Sequence, residues 1–185
     1  MSIQSCVEKL KFVTIKHPNY LLMNEKILKE IKKVSFTRSQ KNTYKSSDGE
    51  VNISSDSNIK AHQTYSTIES ITLSLLKKWI LSIVNENNNF DYKITSYWMA
   101  FYNKGDYAIS HQHSPASLAF VYFINCPIGS SPLVFSTSNT IIEPEDGKLI
   151  IFPGNLNHHV PKNECDGRLV FSGNLSPIIE EDYSK

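Results

Sequence analysis

Four of the six histidines fall in two short segments: His111 and His113 in SHQHSP, and His158 and His159 in LNHHVP. On an extended strand, residues two apart point to the same side. His111 and His113 can therefore aim at one point while Gln112 points away. Of the adjacent pair His158 and His159, only one faces in with them. Two same-face imidazoles plus a third from a remote segment make a metal-site geometry, and neutral imidazole suits iron, zinc, copper and nickel. The spacing leaves a plainer alternative standing. A histidine in a strand is commonly a hydrogen-bonded core or surface residue, and pairs at this spacing occur without metal. Arg168 strengthens the metal reading. It opens RLVFSGN ten residues past His158, and in a regular strand Arg168, Val170, Ser172 and Asn174 share one face. A guanidinium entering a barrel mouth needs an anion, and its fork matches both oxygens of a carboxylate. The competing reading is a surface ion pair with Glu143, Glu145 or Glu164.

The elements that must position these groups lie mostly in the second half. KITSYWMAFY, LAFVYFIN, PLVF, TIIE, KLIIF and RLVFSGN read as short strands, with turns at Asn103-Lys104-Gly105, Pro127-Ile128-Gly129, Glu145-Asp146-Gly147 and Asp166-Gly167. Many short strands with regular turns predict a sandwich or barrel. The first half predicts helices. LLMNEKILKEIKKV carries Leu21, Leu22, Ile27, Leu28, Ile31 and Val34 near helical spacing. A second stripe runs through Ile68, Ile71, Leu75, Leu76, Trp79, Ile83 and Val84, and Asn85–Asn89 stops it. Residues 37–63 are polar and read as a long, mobile loop that, with the basic N-terminal helix, shapes or covers the barrel mouth. The expectation is one domain over residues 1–185, mainly β with flanking helices. Residues 1–90 form a helical support and loop, and residues 91–176 the core that holds the metal site.

Composition narrows the function classes. In 185 residues, 40% are hydrophobic, which excludes wholesale disorder, and the net charge of +1 does not mark a polyanion binder. The charge is unevenly spread. Residues 1–45 hold ten basic and three acidic side chains, and residues 46–185 hold nine and fifteen. A solvated basic face or a docking site for an acidic partner both fit that imbalance. No apolar run approaches the roughly 20 residues of a membrane span, and Met1–Leu10 lacks the pattern of a secretory signal. Cys6, Cys126 and Cys165 share no short spacing and read as reduced thiols, which suits a cytoplasmic protein.

The stretch YNKGDYAISHQHSPASLAFVYFINCP…SPLVF…IEPEDGKLIIFPGNLNHHVPKN…DGRLVFSGN resembles the 2-oxoglutarate- and Fe(II)-dependent oxygenases. It looks closest to the small group of such oxygenases found in marine bacteria and their phages. The resemblance spans roughly residues 94–176, and NIKAHQTY at residues 58–65 matches more weakly. It implies a double-stranded β-helix, or jelly roll, open at one end, in a host cytoplasm if the gene is carried by a phage. By the same resemblance, His111 is the first metal ligand, His158 the distal ligand after Phe152-Pro153, and Arg168 the anchor for the far carboxylate of 2-oxoglutarate. His159 then takes an outward or supporting position. One position departs from the wider pattern. Where an Asp or Glu ligand is usual, two residues after the first histidine, this chain has His113. A three-histidine site and a two-histidine site with water in the third place both remain open.

The activity implied is a dioxygenase, most simply a hydroxylase. It would use Fe(II), 2-oxoglutarate and dioxygen and release succinate and carbon dioxide. Further pocket candidates are Tyr102, Ser172 and Asn174 toward the cosubstrate and Phe120, Tyr122 and His159 toward a substrate, with core packing or an internal hydrogen bond as the competing reading of each. Trp98 reads as core. The substrate is not legible: a small molecule, an amino acid or a peptide side chain is favoured over nucleic acid. Two other readings compete, a three-histidine dioxygenase that needs no keto acid and a non-catalytic jelly-roll binding module. Oligomeric state is left open.

Overall fold

The computed structural model describes residues 11–32, 60–62 and 70–179. The predicted loop over residues 37–63 and the basic N-terminus lie largely outside them. The elements run β1 (Val13–Lys16), α1 (Tyr20–Ile31), β2 (Lys60–His62), α2 (Ile71–Glu86), β3 (Tyr92–Tyr102), β4 (Ala108–His111), β5 (Leu118–Asn125), β6 (Leu133–Phe135), β7 (Thr140–Ile142), β8 (Lys148–Pro153), β9 (His158–Val160) and β10 (Arg168–Pro177). Among the described residues no helix is long and apolar enough to cross a membrane.

Two antiparallel sheets carry the strands. The larger has the order β1-β8-β5-β10-β3-β2 and the smaller β4-β9-β6-β7. Chain neighbours repeatedly land in opposite sheets, which is the winding of a double-stranded β-helix. The expected mainly β architecture with flanking helices is what the chain adopts.

Two hydrophobic cores result, and they divide the faces of the larger sheet. Ala119, Val121 and Phe123 of β5 join Ala100, Tyr102, Phe135, Phe152, Val160 and Val170 in the core between the sheets. Phe120, Tyr122 and Ile124 of the same strand join Leu169, Phe171 and Leu175 in a second core beneath α1 and α2. The expectation that Phe120 and Tyr122 line the barrel is therefore corrected. They face the helices, and alternation along the strand makes Ala119, Val121 and Phe123 the interior set.

The helices bury a different face from the one their leucines suggest. In α1 the buried residues are Asn24, Ile27 and Ile31, and Leu21 is 72% exposed. Asn24 can be buried because its amide donates to the Ile124 carbonyl at 2.7 Å and accepts from the Tyr122 hydroxyl at 2.8 Å. In α2 the buried stripe is Thr72, Leu73, Leu76, Ile80 and Val84, leaving Ile71 82% exposed. Ser70 caps this helix by accepting from the Leu73 amide at 2.9 Å. Val34 and Ile68 lie outside the described residues.

The turn at Gly147 shows why glycine is required there. Its φ is +82°, and a Cβ would fall 2.3 Å from the Tyr20 Cβ. That turn brings β8 back between β1 and β5, and its bonds to the neighbouring segments run from the Gly147 amide to Phe123 and from the His17 amide to Gly147.

Candidate metal centre

β4 and β9 pair with His111 opposite His158, which puts the two ring centroids 4.4 Å apart. His113 joins them from outside the ladder. β4 ends at His111, so the two histidines do not sit on one regular strand as their spacing suggested. The turn that follows is held instead by Gly154, whose carbonyl accepts the His113 amide at 2.7 Å and whose amide donates to the Ser117 carbonyl at 3.0 Å. The His113 and His158 Nε2 atoms are 3.2 Å apart. One ligand nitrogen from each of His111, His113 and His158 lies within 4.8 Å of the others.

Hydrogen bonds fix which nitrogens face the cluster. His111 Nδ1 is 2.8 Å from the Ile109 carbonyl, and His158 Nδ1 is 2.9 Å from the Leu156 carbonyl. A carbonyl only accepts, so each Nδ1 carries the proton and each neutral ring turns an Nε2 lone pair inward. Burial keeps these rings neutral. His158 is 3% exposed, and burial, with the neighbouring His111 and His113 adding to it, drives its pKa down to about 3. Burial also lowers the pKa of His111, opposed by the Ile109 carbonyl.

These residues fit a divalent transition metal. For metal–nitrogen bonds of about 2.0–2.1 Å, adjacent ligands stand roughly 2.8–3.0 Å apart in octahedral and roughly 3.3–3.4 Å apart in tetrahedral geometry, and the 3.2 Å separation of His113 and His158 lies between the two. The donor set is three imidazoles, with no carboxylate or thiolate in the group among the described residues.

Arg168 lies on the same inter-sheet side. It is 1% exposed, which excludes the surface ion pair; Glu145 instead pairs with Lys16 and Lys148. The guanidinium sits 4.5 Å over the Tyr102 ring and 5.5 Å from the Phe123 ring. Its Nε donates to the Ser131 carbonyl at 2.9 Å, and its buried Nη1 has no hydrogen-bond partner. Burial pulls its pKa down from 12.5, with Tyr102 and Cys126 opposing that shift, yet a guanidinium remains charged in proteins. A buried cation with an unpartnered donor offers a place for an anion.

The sheet register orders the ground between the two groups. Interior residues form rows across β8, β5, β10 and β3. Phe152, Ala119, Asn174 and Ser96 make one row, and Ile150, Val121, Ser172 and Trp98 the next. Val170 and Ala100 follow, then Arg168 and Tyr102. Phe152 lies 4.9 Å from the His158 ring and Trp98 stacks 5.5 Å from His113, so the histidines stand over the first two rows. Arg168 is four residues down β10 from Ser172, about 13 Å at 3.3 Å per residue. The floor between them is made by Val121, Ser172, Val170 and Ala100, with Ile150 and Trp98 at its edges.

The remaining expected residues separate. Ser172 is buried in that floor. The Asn174 amide donates to Ser96 Oγ at 2.9 Å and leaves its buried Oδ1 unpaired. Tyr102 lies under Arg168, its phenol pKa raised by burial. His159 points to the other side of β9, with Nδ1 3.0 Å from Ser136 Oγ, and is not part of the cluster. Sequence reasoning missed Ser131, Asn163 and Gly154. Ser131 serves through its carbonyl, which no side-chain pattern reveals. Asn163 holds that segment by accepting the Ser131 amide at 2.8 Å.

No protein-family model matches the chain, and no curated protein matches it. Solved structures do. The chain is similar to the viral collagen prolyl hydroxylase vCPH of Paramecium Bursaria Chlorella virus-1 in its complex with 2-oxoglutarate, with TM-score 0.67 and 14% identity over 90% of this chain and 96% of that one. It is similar to a prolyl hydroxylase from Trichoplax adhaerens in complex with a hypoxia inducible factor peptide fragment, with TM-score 0.65 and 16% identity over 88% and 82%. It is similar to HygX from Streptomyces hygroscopicus with nickel and 2-oxoglutarate bound, with TM-score 0.67 and 8% identity over 94% and 85%. In its fold, this chain is a double-stranded β-helix of the kind found in the 2-oxoglutarate- and Fe(II)-dependent oxygenases.

Proposed function

We propose that the chain is an Fe(II)- and 2-oxoglutarate-dependent dioxygenase that hydroxylates its substrate. The observation that carries this reading is the pairing of three convergent imidazoles with one buried, anion-seeking guanidinium on a shared interior surface. His111, His113 and His158 would hold the metal, and Arg168 the far carboxylate of the cosubstrate. When bound, iron and 2-oxoglutarate together supply the oxidative decarboxylation to succinate and carbon dioxide that drives C–H hydroxylation by dioxygen.

The chain's own residues bind, orient and exclude water. Ile109 and Leu156 fix the tautomers of two ligands through their carbonyls. Three neutral ligands leave the metal's full charge for an anionic cosubstrate to offset. Arg168 offers Nη1 to the carboxylate while Nε stays tied to Ser131, so the fork is held before the acid arrives. Tyr102 backs the guanidinium, and Ser172 and Asn174 supply polar groups along the floor. Phe135 and Phe152 wall the ligands off from water. A small molecule, amino acid or peptide side chain is the substrate class we favour; one of the similar structures holds a peptide fragment. Residues 91–176 form the working core, the helices brace it, and Cys126 and Cys165, both free thiols, suit a cytoplasmic setting.

The test is anaerobic loading with Fe(II), titration with 2-oxoglutarate and measurement of succinate on admission of oxygen. Binding followed by EDTA-sensitive succinate formation is expected. Protein that holds iron but neither binds nor turns over 2-oxoglutarate overturns the reading. His113, an imidazole where a carboxylate is usual, favours one second reading, a three-histidine dioxygenase in which Arg168 holds the substrate's own carboxylate. Oxygen uptake without succinate would identify it.

A further inference from the structure

We propose that Trp98 is the positioning residue of this centre: its indole face sets the plane of the His113 ring. The inference rests on reading the three histidines as ligands. His111 and His158 are each steered by a carbonyl two residues back. His113 leaves β4 for a turn, where other aromatic rings lie around its own. The indole of Trp98 lies 5.5 Å from it with an interplanar angle of 28°. The His113 ring also runs nearly parallel to that of His158, at 20° and 5.0 Å, and Phe152 meets it at 62° and 6.5 Å.

Trp98 can act as a fixed reference because its backbone is fixed. It sits within the ladder that joins β3 to β10, opposite Ser172, and its side chain is half-buried against the core between the sheets. Trp79 is remote from this arrangement, packed on His17 and Tyr122 on the helix side of the same sheet. An imidazole ligand must present its lone pair within the ring plane, so a surface that fixes the plane fixes the donor direction. Removing a well-stacked ring from such a pair is expected to cost about tenfold in affinity.

The experiment uses the metal-free chain with Co(II) alone as the probe and follows both affinity and the visible ligand-field spectrum. Trp98→Ala should weaken Co(II) binding about tenfold and alter the spectrum as His113 loses its alignment, whereas Trp98→Phe should keep both near wild type. In Trp79→Phe protein the remaining Trp98 emission should be quenched by Co(II), with the midpoint of the absorption titration. Wild-type affinity and spectrum in Trp98→Ala overturn the proposal. If that variant does not fold, Trp98→Leu replaces it, and a wild-type spectrum there, or emission in Trp79→Phe that is insensitive to Co(II), overturns it equally. A His111→Ala protein with an unchanged Co(II) spectrum overturns the ligand assignment itself, which separates failure of that assignment from failure of the role of Trp98.

Discussion

The His113 amide donates to the Gly154 carbonyl at 2.7 Å, joining the turn after β4 to the turn after β8. A Cβ at Gly154 would lie 2.1 Å from the Ala116 carbonyl oxygen. Gly154→Ala must therefore push the His113 turn away. The expected cost is about 1–3 kcal/mol of stability, together with weaker metal binding in protein that still folds. Thermal melts and a Co(II) titration on the same sample check both.

Removing an inward-facing ligand is the more direct lesion. His111→Ala and His158→Ala should lower metal affinity by more than about a hundredfold, since loss of supporting groups around a ligand already costs 10–100-fold. Calorimetric titration with Co(II) measures it, and far-UV circular dichroism shows whether the sheet persists.

Arg168→Met should separate cosubstrate from metal. Saturating 2-oxoglutarate at a hundred times its Kd is worth about 2.7 kcal/mol, on the order of 5–10 °C in Tm for a chain of this size. The iron-loaded wild type should show that shift and Arg168→Met should not, while metal affinity stays unchanged. A retained shift would remove Arg168 from the cosubstrate site.

Acid should destabilise the metal-free protein through His158. Its folded pKa is about 3, against 6.5 for an unperturbed histidine. Above pH 6.5 the ring is neutral folded or unfolded, so the stability is fully present. Between 6.5 and 3 the unfolded chain takes up a proton that the folded site refuses, and stability falls with pH. Tm measured from pH 7.5 to 4 should decline more steeply in wild type than in His158→Leu.

Tyr122→Phe tests which way β5 faces. It leaves Asn24 Oδ1 without the Tyr122 hydroxyl, at a cost of about 1–3 kcal/mol, and should leave metal and 2-oxoglutarate binding unchanged. Altered cosubstrate affinity would return Tyr122 to the barrel interior.

How far the sequence could be read follows from these residues. His111, His158 and Arg168 were legible because each stands beside a turn or opens a strand, where polar groups stand out against apolar neighbours. β5 was legible as a strand but not in its orientation. Six consecutive buried residues cover both faces, and a strand without polar alternation does not declare which side is which. In α1, leucine count pointed away from the buried face because Asn24, polar by type, is paired inside through contacts about a hundred residues distant. His113 reaches the cluster from a turn held by Gly154, and the Ser131 carbonyl reaches Arg168 through the loop that Asn163 organises. Such backbone partnerships exist only once the chain is wound.

β10 carries Leu169, Phe171 and Leu175 on one side and Arg168, Ser172 and Asn174 on the other. The helix-facing residues clamp the strand from behind, so it cannot slide without emptying that core. The backbone of Arg168 is thereby held at a fixed number of peptide units from Ser172 and Asn174. If Arg168 holds one end of a diacid, as proposed, the placement of that strand limits which chain lengths fit.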